Sequence, residues 1–172
     1  NQQRKQRMRE QLLKNRRILS AYDLRPEDAP EYIRFINSYR PEYLYGYATA
    51  LTALAHILEP HRDQLHVKLK AVVSTSETLS PEQAALFSRV FGCPAANEYG
   101  ARDAGILGYS CPCGGLHITA ENCILETLDP VTYEPVPAGQ SGVLAITDLT
   151  NHVQPRLRYL LGDVGTLSET PC

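Results

Sequence analysis

Apolar and polar positions along this chain follow two different rhythms, and the change falls after its middle. From Pro30 to Tyr39, the set Tyr32, Phe35, Ile36 and Tyr39 recurs at i, i+3, i+4 and i+7, the spacing of a helix with one buried stripe. Pro41 should end it. "YLYGY" then reads as a short aromatic strand closed by Gly46. A second helix is expected from Ala48 to Leu58, with Leu51, Leu54, Ala55 and Leu58 on one stripe and Pro60 as its stop. The run Leu69 to Val73 has the pattern of a strand buried on both faces. "SPEQAALFSRVFG" carries a full helix-start signal: Ser80 as N-cap, Pro81 at the first helical position and Gln83 placed to return a hydrogen bond. Gly92 closes that helix, and "CPAANEYG" reads as another short strand. A basic segment at residues 5–18, with Met8, Leu12 and Leu13 on one side, is read as a further helix.

Strand, helix, strand, helix, strand over residues 40–100 implies parallel strands joined by crossover helices. After about residue 115 the helical period is gone. "GLHI", "CILETL", "GVLAITDL", "PRLRYL" and "DVGTLS" are short strands separated by turns, the pattern of an antiparallel sheet or a small barrel. The expected fold class is therefore α/β, with a parallel first part followed by an antiparallel β subdomain. The expected division is 1–110 and 111–172.

Composition narrows the field. With 172 residues, 43% hydrophobic and 21% charged, the chain can bury a core. A net charge of −2 argues against nucleic acid as a partner. The positive charge is concentrated at the start, where Arg4, Lys5, Arg7, Arg9, Lys14, Arg16 and Arg17 face Glu10 alone; the simplest reading is a solvated helix face. No apolar run reaches a membrane span, and no signal peptide precedes the first helix. Five cysteines cannot all pair within one chain, which favours a reducing, cytoplasmic setting. The two ends lack ordinary punctuation, so the chain is expected to be a piece of a larger protein.

Two polar segments fall beyond the carboxyl ends of the expected parallel strands, where open sheets bind ligands. They are "STSET" (74–78) and "NEYGARDAG" (97–105). Their hydroxyls, glycines, aromatic ring and the carboxylates Glu77, Glu98 and Asp103 suit a base stacked on Tyr99 and a metal-bound phosphate near Asp103. The bland alternative is a pair of polar turns. A third cluster lies in "GYSCPCGGLH". Cys111, Cys113 and His117 are soft ligands close together, and Cys172 is available as a fourth, as a tetrahedral structural zinc site requires. Free thiols are the alternative. Cys93 and Cys123 sit in apolar strand contexts and are read as small buried hydrophobes. Tyr43, Tyr45 and Tyr47 are read as core side chains, with the wall of an acyl pocket as the other reading.

These segments bear a resemblance. "NEYGARDAG" resembles the Y-G-x-[ST]-E signature of adenylate-forming enzymes, "VVSTSETLSPEQ" their adenine-loop segment, and "PRLRYLLGDVG" their Y-R-T-G-D motif, in the same order and spacing. "GGLHI", "CILETLDP" and "GVLAITDLTNHVQPRLRY" narrow this to the branch of phenylacetate–coenzyme A ligases, coenzyme F390 synthetase-like and capsule-biosynthesis-like proteins. The resemblance implies part of an N-terminal AMP-binding domain and an ATP-dependent acid–thiol ligase. It would form an acyl-adenylate from a small carboxylic acid and pass it to a thiol such as coenzyme A. It implies that Tyr99 stacks on adenine and that Ser76, Glu77, Thr78 and the backbone of Asn97, Glu98, Tyr99 and Gly100 frame base and ribose. Asp163 would hold the ribose hydroxyls, and Asp103 stands where a glutamate helps hold Mg²⁺. Arg102 and Leu161 depart from the Ser/Thr and Thr usual at their positions. The family's phosphate loop and its Lys-bearing C-terminal domain are not recognised in the chain, so this piece alone is expected to be inactive. A homodimer is allowed for. The alternative function is a zinc-stabilised nucleotide-binding or structural module without catalysis.

Overall fold

The computed structural model describes Met8, Arg9 and residues 12–172. Most of the expected first helix lies outside them or is not helical: Met8, Arg9, Leu12 and Leu13 are helical, but residues 15–18 are not. Asn15 takes a left-handed conformation (φ 46°), which stops helix propagation before the predicted end.

The first regular helix, α1 (Ala29–Tyr39), ends where Arg40 turns left-handed and its N–H reaches the Ile36 carbonyl at 2.9 Å. Pro41 follows and cannot extend the ladder. Next come β1 (Tyr43–Tyr47) and α2 (Ala48–Leu58). Pro60 does not end the helical path outright; the chain tightens into a 3-10 segment at Glu59–Gln64, whose first turn accepts a proline. Then follow β2 (Ala71–Thr75), α3 (Pro81–Phe91) and β3 (Ala95–Ala101). The α3 cap forms as expected, with Gln83 N–H on Ser80 Oγ at 3.2 Å and Ser80 N–H on Gln83 Oε1 at 3.0 Å.

β1, β2 and β3 pair in parallel, and β4 (Gly105–Ser110) and β5 (Leu116–Ile118) extend the same sheet antiparallel. Gly100 makes the β3–β4 approach feasible, since a Cβ there would lie 2.5 Å from the Gly105 carbonyl oxygen. Because β5 joins this sheet, the change of sheet falls between Ile118 and Cys123, inside the segment 111–172. The second sheet is β6 (Cys123–Leu128), β7 (Ser141–Asp148) and β8 (Tyr159–Thr166), all antiparallel. Among the described residues it is open, not a barrel, and the two strands expected at "PRLRYL" and "DVGTLS" are one.

Strand alternation sorts the first sheet into unlike faces. Leu44, Val72 and Ala95 pack on α1, α2 and α3 around Ile36, Leu58 and Phe87. The opposite face carries Tyr43, Tyr45 and Tyr47, which are 52%, 53% and 46% exposed and so are not the core residues expected. Nor is β2 buried on both faces: Val72 and Ser74 are buried, while Val73 and Thr75 are only partly covered. A smaller core of Leu107, Cys123 and Ile146, with Tyr99 and Leu161 against it, joins the two sheets.

Candidate nucleotide site at the seam of the two sheets

The carboxyl ends of β1 and β2 are level, with Tyr47 opposite Thr75 and Thr75 opposite Glu98, and β3 runs on past them to Ala101. The segment expected as the polar loop 97–105 is mostly strand: Asn97 to Ala101 belong to β3, and only Arg102 to Ala104 turn. The backbone of Asn97, Glu98, Tyr99 and Gly100 is therefore largely engaged in pairing to β2 and β4. Asn97 N–H donates to Ser110 Oγ at 2.7 Å. The side-chain oxygens of Ser74 and Asn97, facing partners in the register, are buried without a hydrogen-bond partner.

Tyr99 and Asp163 are brought together from different sheets. The Tyr99 hydroxyl donates to Asp163 Oδ2 at 2.9 Å. Burial, then the carboxylate, pushes the Tyr99 hydroxyl well above the usual tyrosine range, so it stays a donor. Asp163 remains exposed and keeps acceptor capacity for further hydroxyls.

Asp103 lies on the β3–β4 turn and reaches β8, the strand that carries Asp163. Its Oδ2 accepts from the Tyr159 hydroxyl at 3.2 Å, and Arg156 lies 3.8 Å from its Oδ1. The Arg156 guanidinium also sits 5.9 Å from the Tyr159 ring centre. Asp103, Arg156 and Tyr159, with Gln154, Pro155 and Leu157, line an open depression of about 390 Å³. Sequence reasoning passed over Arg156; its place in "QPRLRY", three residues before a tyrosine that opens a strand, was the available signal.

The segment after β2 is held from the helix side. Ser76 is left-handed (φ 64°) and turns the chain, and Thr78 is exposed. Glu77 accepts from the backbone N–H of Thr49 at 2.8 Å and from Thr49 Oγ1 at 3.0 Å. It therefore caps the start of α2, where a carboxylate also suits the helix dipole. Glu98, on the opposite face of β3 from Tyr99, is buried and accepts at Oε1 from the Tyr45 hydroxyl at 2.6 Å and Thr75 Oγ1 at 2.9 Å. Burial and this carboxylate raise the Tyr45 hydroxyl above its ordinary value.

The cysteines form a second feature on the same seam. The Sγ atoms of Cys111, Cys113 and Cys172 lie within 4.8 Å of one another. His117, expected among the ligands, does not belong to that group; it stands on β5 opposite Tyr109 and is exposed. Cys111 and Cys172 approach to 3.3 Å, a hydrogen-bonding contact with no disulfide between them. The contact with Cys172 lowers the Cys111 thiol to about 6, while Cys172, hydrogen-bonded to Cys113 and Cys111, rises to about 11. Cys93 and Cys123 are buried in the two cores.

With this geometry in hand, the chain can be set beside known proteins. No family model matches it. It is 38% identical over 85 residues to the phenylacetate-coenzyme A ligase of Thermus thermophilus, covering 47% of this chain and 19% of that protein. It is 26% identical over 151 residues to protein CapK of Staphylococcus aureus, covering 87% of this chain and 32% of that one. A 2-hydroxyisobutyryl-CoA ligase solved in complex with 2-HIB-AMP and CoA superposes with a TM-score of 0.71 at 17% identity, over 85% of this chain and 36% of that chain. An anthranilate CoA ligase in complex with anthranoyl-AMP gives 0.60 at 20% identity, over 77% of this chain and 26% of that chain. The fold is that of the adenylate-forming ligases. The resemblance in sequence is to the same superfamily, and the chain spans between 19% and 32% of the length of its curated relatives. No helix among the described residues is long and apolar enough to cross a membrane.

Proposed function

We propose that this chain is the nucleotide-holding part of an ATP-dependent ligase that joins a small carboxylic acid to a thiol, coenzyme A being the favoured acceptor. The observation that carries the reading is the Tyr99–Asp163 pair, 2.9 Å apart across the two sheets at the carboxyl end of the parallel strands. In such a reaction the acid's carboxylate bonds to the α-phosphorus of ATP as pyrophosphate leaves, and the thiol then displaces AMP from the acyl carbon.

The residues fit the nucleotide. Tyr99 offers a half-buried ring for a base, and Asp163 has acceptor sites left for ribose hydroxyls. Thr78 and the turn at Ser76 border the same end of the sheet. Glu77 serves differently from the expectation: by holding Thr49 it fixes that turn against α2. Mg²⁺ would neutralise phosphate charge, and it asks of a protein one or two carboxylates beside the phosphates themselves. Asp103, 57% exposed at its side chain, supplies one. Arg156, now beside Asp103, is placed to pair with a phosphate oxygen once a metal takes the carboxylate. Zn²⁺ at the thiol cluster belongs to the reading as a structural ion. ATP and coenzyme A as substrates fit a cytoplasmic setting.

The contacts of Asp103 also favour a second reading. A carboxylate already engaged by Arg156 and Tyr159, one methylene shorter than the glutamate usual there, is what a nucleotide-binding module without catalysis would keep.

The test uses the complete polypeptide that carries this chain. Tyr99→Ala should weaken AMP by on the order of 1 kcal/mol or more. Asp163→Ala should weaken AMP but hardly alter a 2′,3′-dideoxy analogue, since the lost partners are the ribose hydroxyls. Equal losses for both ligands in calorimetry would remove the assignment of Asp163. Pyrophosphate release across a panel of aryl and aliphatic acids separates the ligase from the inactive module.

A further inference from the structure

The chain's cysteines divide by place. Cys93 and Cys123 are 6% and 3% exposed inside the two cores, where they pack as apolar groups. Of the other three, Cys111 and Cys113 share one turn and Cys172 comes from a segment far away in sequence, and all three meet at one point on the surface.

The meeting point is built. Between β4 and β5 the chain closes a tight turn, with Cys111 N–H on the Gly115 carbonyl at 2.8 Å and Gly114 N–H on the Cys111 carbonyl at 3.0 Å. Gly114 sits at φ 89°, a conformation that side chains rarely adopt, and lets the turn double back. This geometry presents Cys111 and Cys113 together toward Cys172, which follows β8. The separations suit a metal better than a disulfide. Cys111 and Cys172 stand 3.3 Å apart, well beyond the ~2.05 Å of an S–S bond. Thiolates around one Zn²⁺ at ~2.3 Å would lie ~3.8 Å from each other, the edge of a tetrahedron, and three sulfurs that all lie within 4.8 Å of one another need only small shifts to reach it.

We propose that Cys111, Cys113 and Cys172 bind one thiophilic divalent ion, Zn²⁺ by its chemistry, without His117, and that this clasp holds closed the seam on which the nucleotide site stands. The second part rests on the nucleotide reading above. Its ground is connectivity. β4, which pairs Gly108 with Tyr99, runs directly into the Cys111 turn. β8, which carries Asp163, runs toward Cys172. The clasp and the Tyr99–Asp163 hydrogen bond therefore tie the same two sheets at two places. His117, on a strand register opposite Tyr109, is left outside the ligand set, and the fourth position goes to water or to a donor outside the described residues.

The experiment takes the complete polypeptide purified without chelator. Elemental analysis should find about one equivalent of zinc. Cys113→Ser, at an exposed position, should lose most of it while keeping the wild-type far-ultraviolet circular dichroism, and His117→Ala should keep it. Replacing the zinc with Co²⁺ should give sulfur-to-cobalt charge-transfer bands that His117→Ala leaves unchanged. Should Cys113→Ser fail to fold, chelation of the wild-type protein serves in its place. Wild-type protein without metal, with all its thiols reactive or with a Cys111–Cys172 disulfide seen by mass, overturns the site. Loss of metal in His117→Ala overturns the ligand set. Removing the metal should weaken AMP several-fold; unchanged affinity overturns the coupling. If AMP binds no form of the protein, the nucleotide reading fails, and metal content alone still decides the clasp.

Discussion

The helix-covered half and the antiparallel half of this molecule solve the burial problem differently. In the first, α1, α2 and α3 lie on one face of β1–β3, and Ile36, Leu58, Val72 and Phe87 are buried to 2% exposure or less. In the second, β6 and β7 bury Leu128, Leu144, Ala145 and Ile146, but β8 presents Tyr159, Leu160 and Val164 at 41%, 43% and 70% exposure. The first half can hold itself together by side-chain packing. The second depends on its seam with the first: the Leu107–Cys123–Ile146 core, the Tyr99–Asp163 bond and the thiol cluster. The difference explains where the candidate site sits. A site made from two sheets of unequal independence can have one rigid wall and one adjustable wall, an arrangement suited to admitting and releasing a ligand.

The largest effect should come from the rigid wall. Phe87 is fully buried between α2 and the sheet. Phe87→Ala should cost about 3–5 kcal/mol, since it removes a whole aromatic side chain and leaves a cavity. That is a large share of a typical domain's stability. Denaturant unfolding checks it. A loss below about 1 kcal/mol would mean that the helix-covered core is not the main support.

A smaller and more local effect should mark the second half. A Cβ at Gly142 would stand 2.5 Å from the Leu128 carbonyl oxygen and 2.9 Å from the Leu128 nitrogen. Both are backbone atoms of the paired strand, so neither can swing aside. Gly142→Ala should force β6 and β7 apart at a cost of about 1–3 kcal/mol. Hydrogen exchange should quicken in β6 and β7 and stay slow in β2 and α3. Equal acceleration in both halves would show that the molecule opens as one unit and would erase the contrast.

How much of this was legible in the sequence follows the same division. α1, α2, α3 and the parallel order of β1–β3 could be read because period and punctuation are local: the Ser80–Gln83 cap and the 3.6-residue stripes need no knowledge of the rest of the chain. β4 was missed, and β5, read as the strand "GLHI", was assigned to the second sheet when it extends the first. "GILGYS" has no strict alternation, and what makes it a strand is the partner that Gly100 and Gly108 admit at close range. The exposure of Tyr43, Tyr45 and Tyr47 was equally hidden, because an aromatic strand pattern does not say which face has helices. For the site, Tyr99, Asp163 and the three thiols were found as residue types in an order, but their pairing across sheets is a long-range fact. His117 shows the limit: nearness in sequence to Cys113 suggested ligation, and its strand pairing opposite Tyr109 leaves it near Cys111 but outside the group of three thiols.

The smallest expected effect lies at the end of β7, where the adjustable wall turns back toward Arg156. Asp148 Oδ1 accepts from Thr150 N–H at 2.8 Å, Thr150 Oγ1 at 2.9 Å and Asn151 N–H at 3.1 Å. These donors, led by the Thr150 backbone and hydroxyl, hold the Asp148 carboxyl below its ordinary value of 3.8, with Arg156 adding to the effect. A carboxylate whose folded value is depressed stabilises the fold above its unfolded value. That contribution fades as pH falls through the lower, folded value. An asparagine in place of Asp148 would keep an acceptor oxygen but lose the charge, so Asp148→Asn should lower the thermal midpoint only slightly near neutral pH. The gap to wild type should close as the pH drops below the ordinary aspartate range. Phe87→Ala, by contrast, should keep its deficit at every pH. Thermal melts of the three proteins from neutral to acid pH make the comparison. A gap for Asp148→Asn that persists in acid would assign the residue's role to turn geometry alone, because a protonated carboxyl has no charge left to lose.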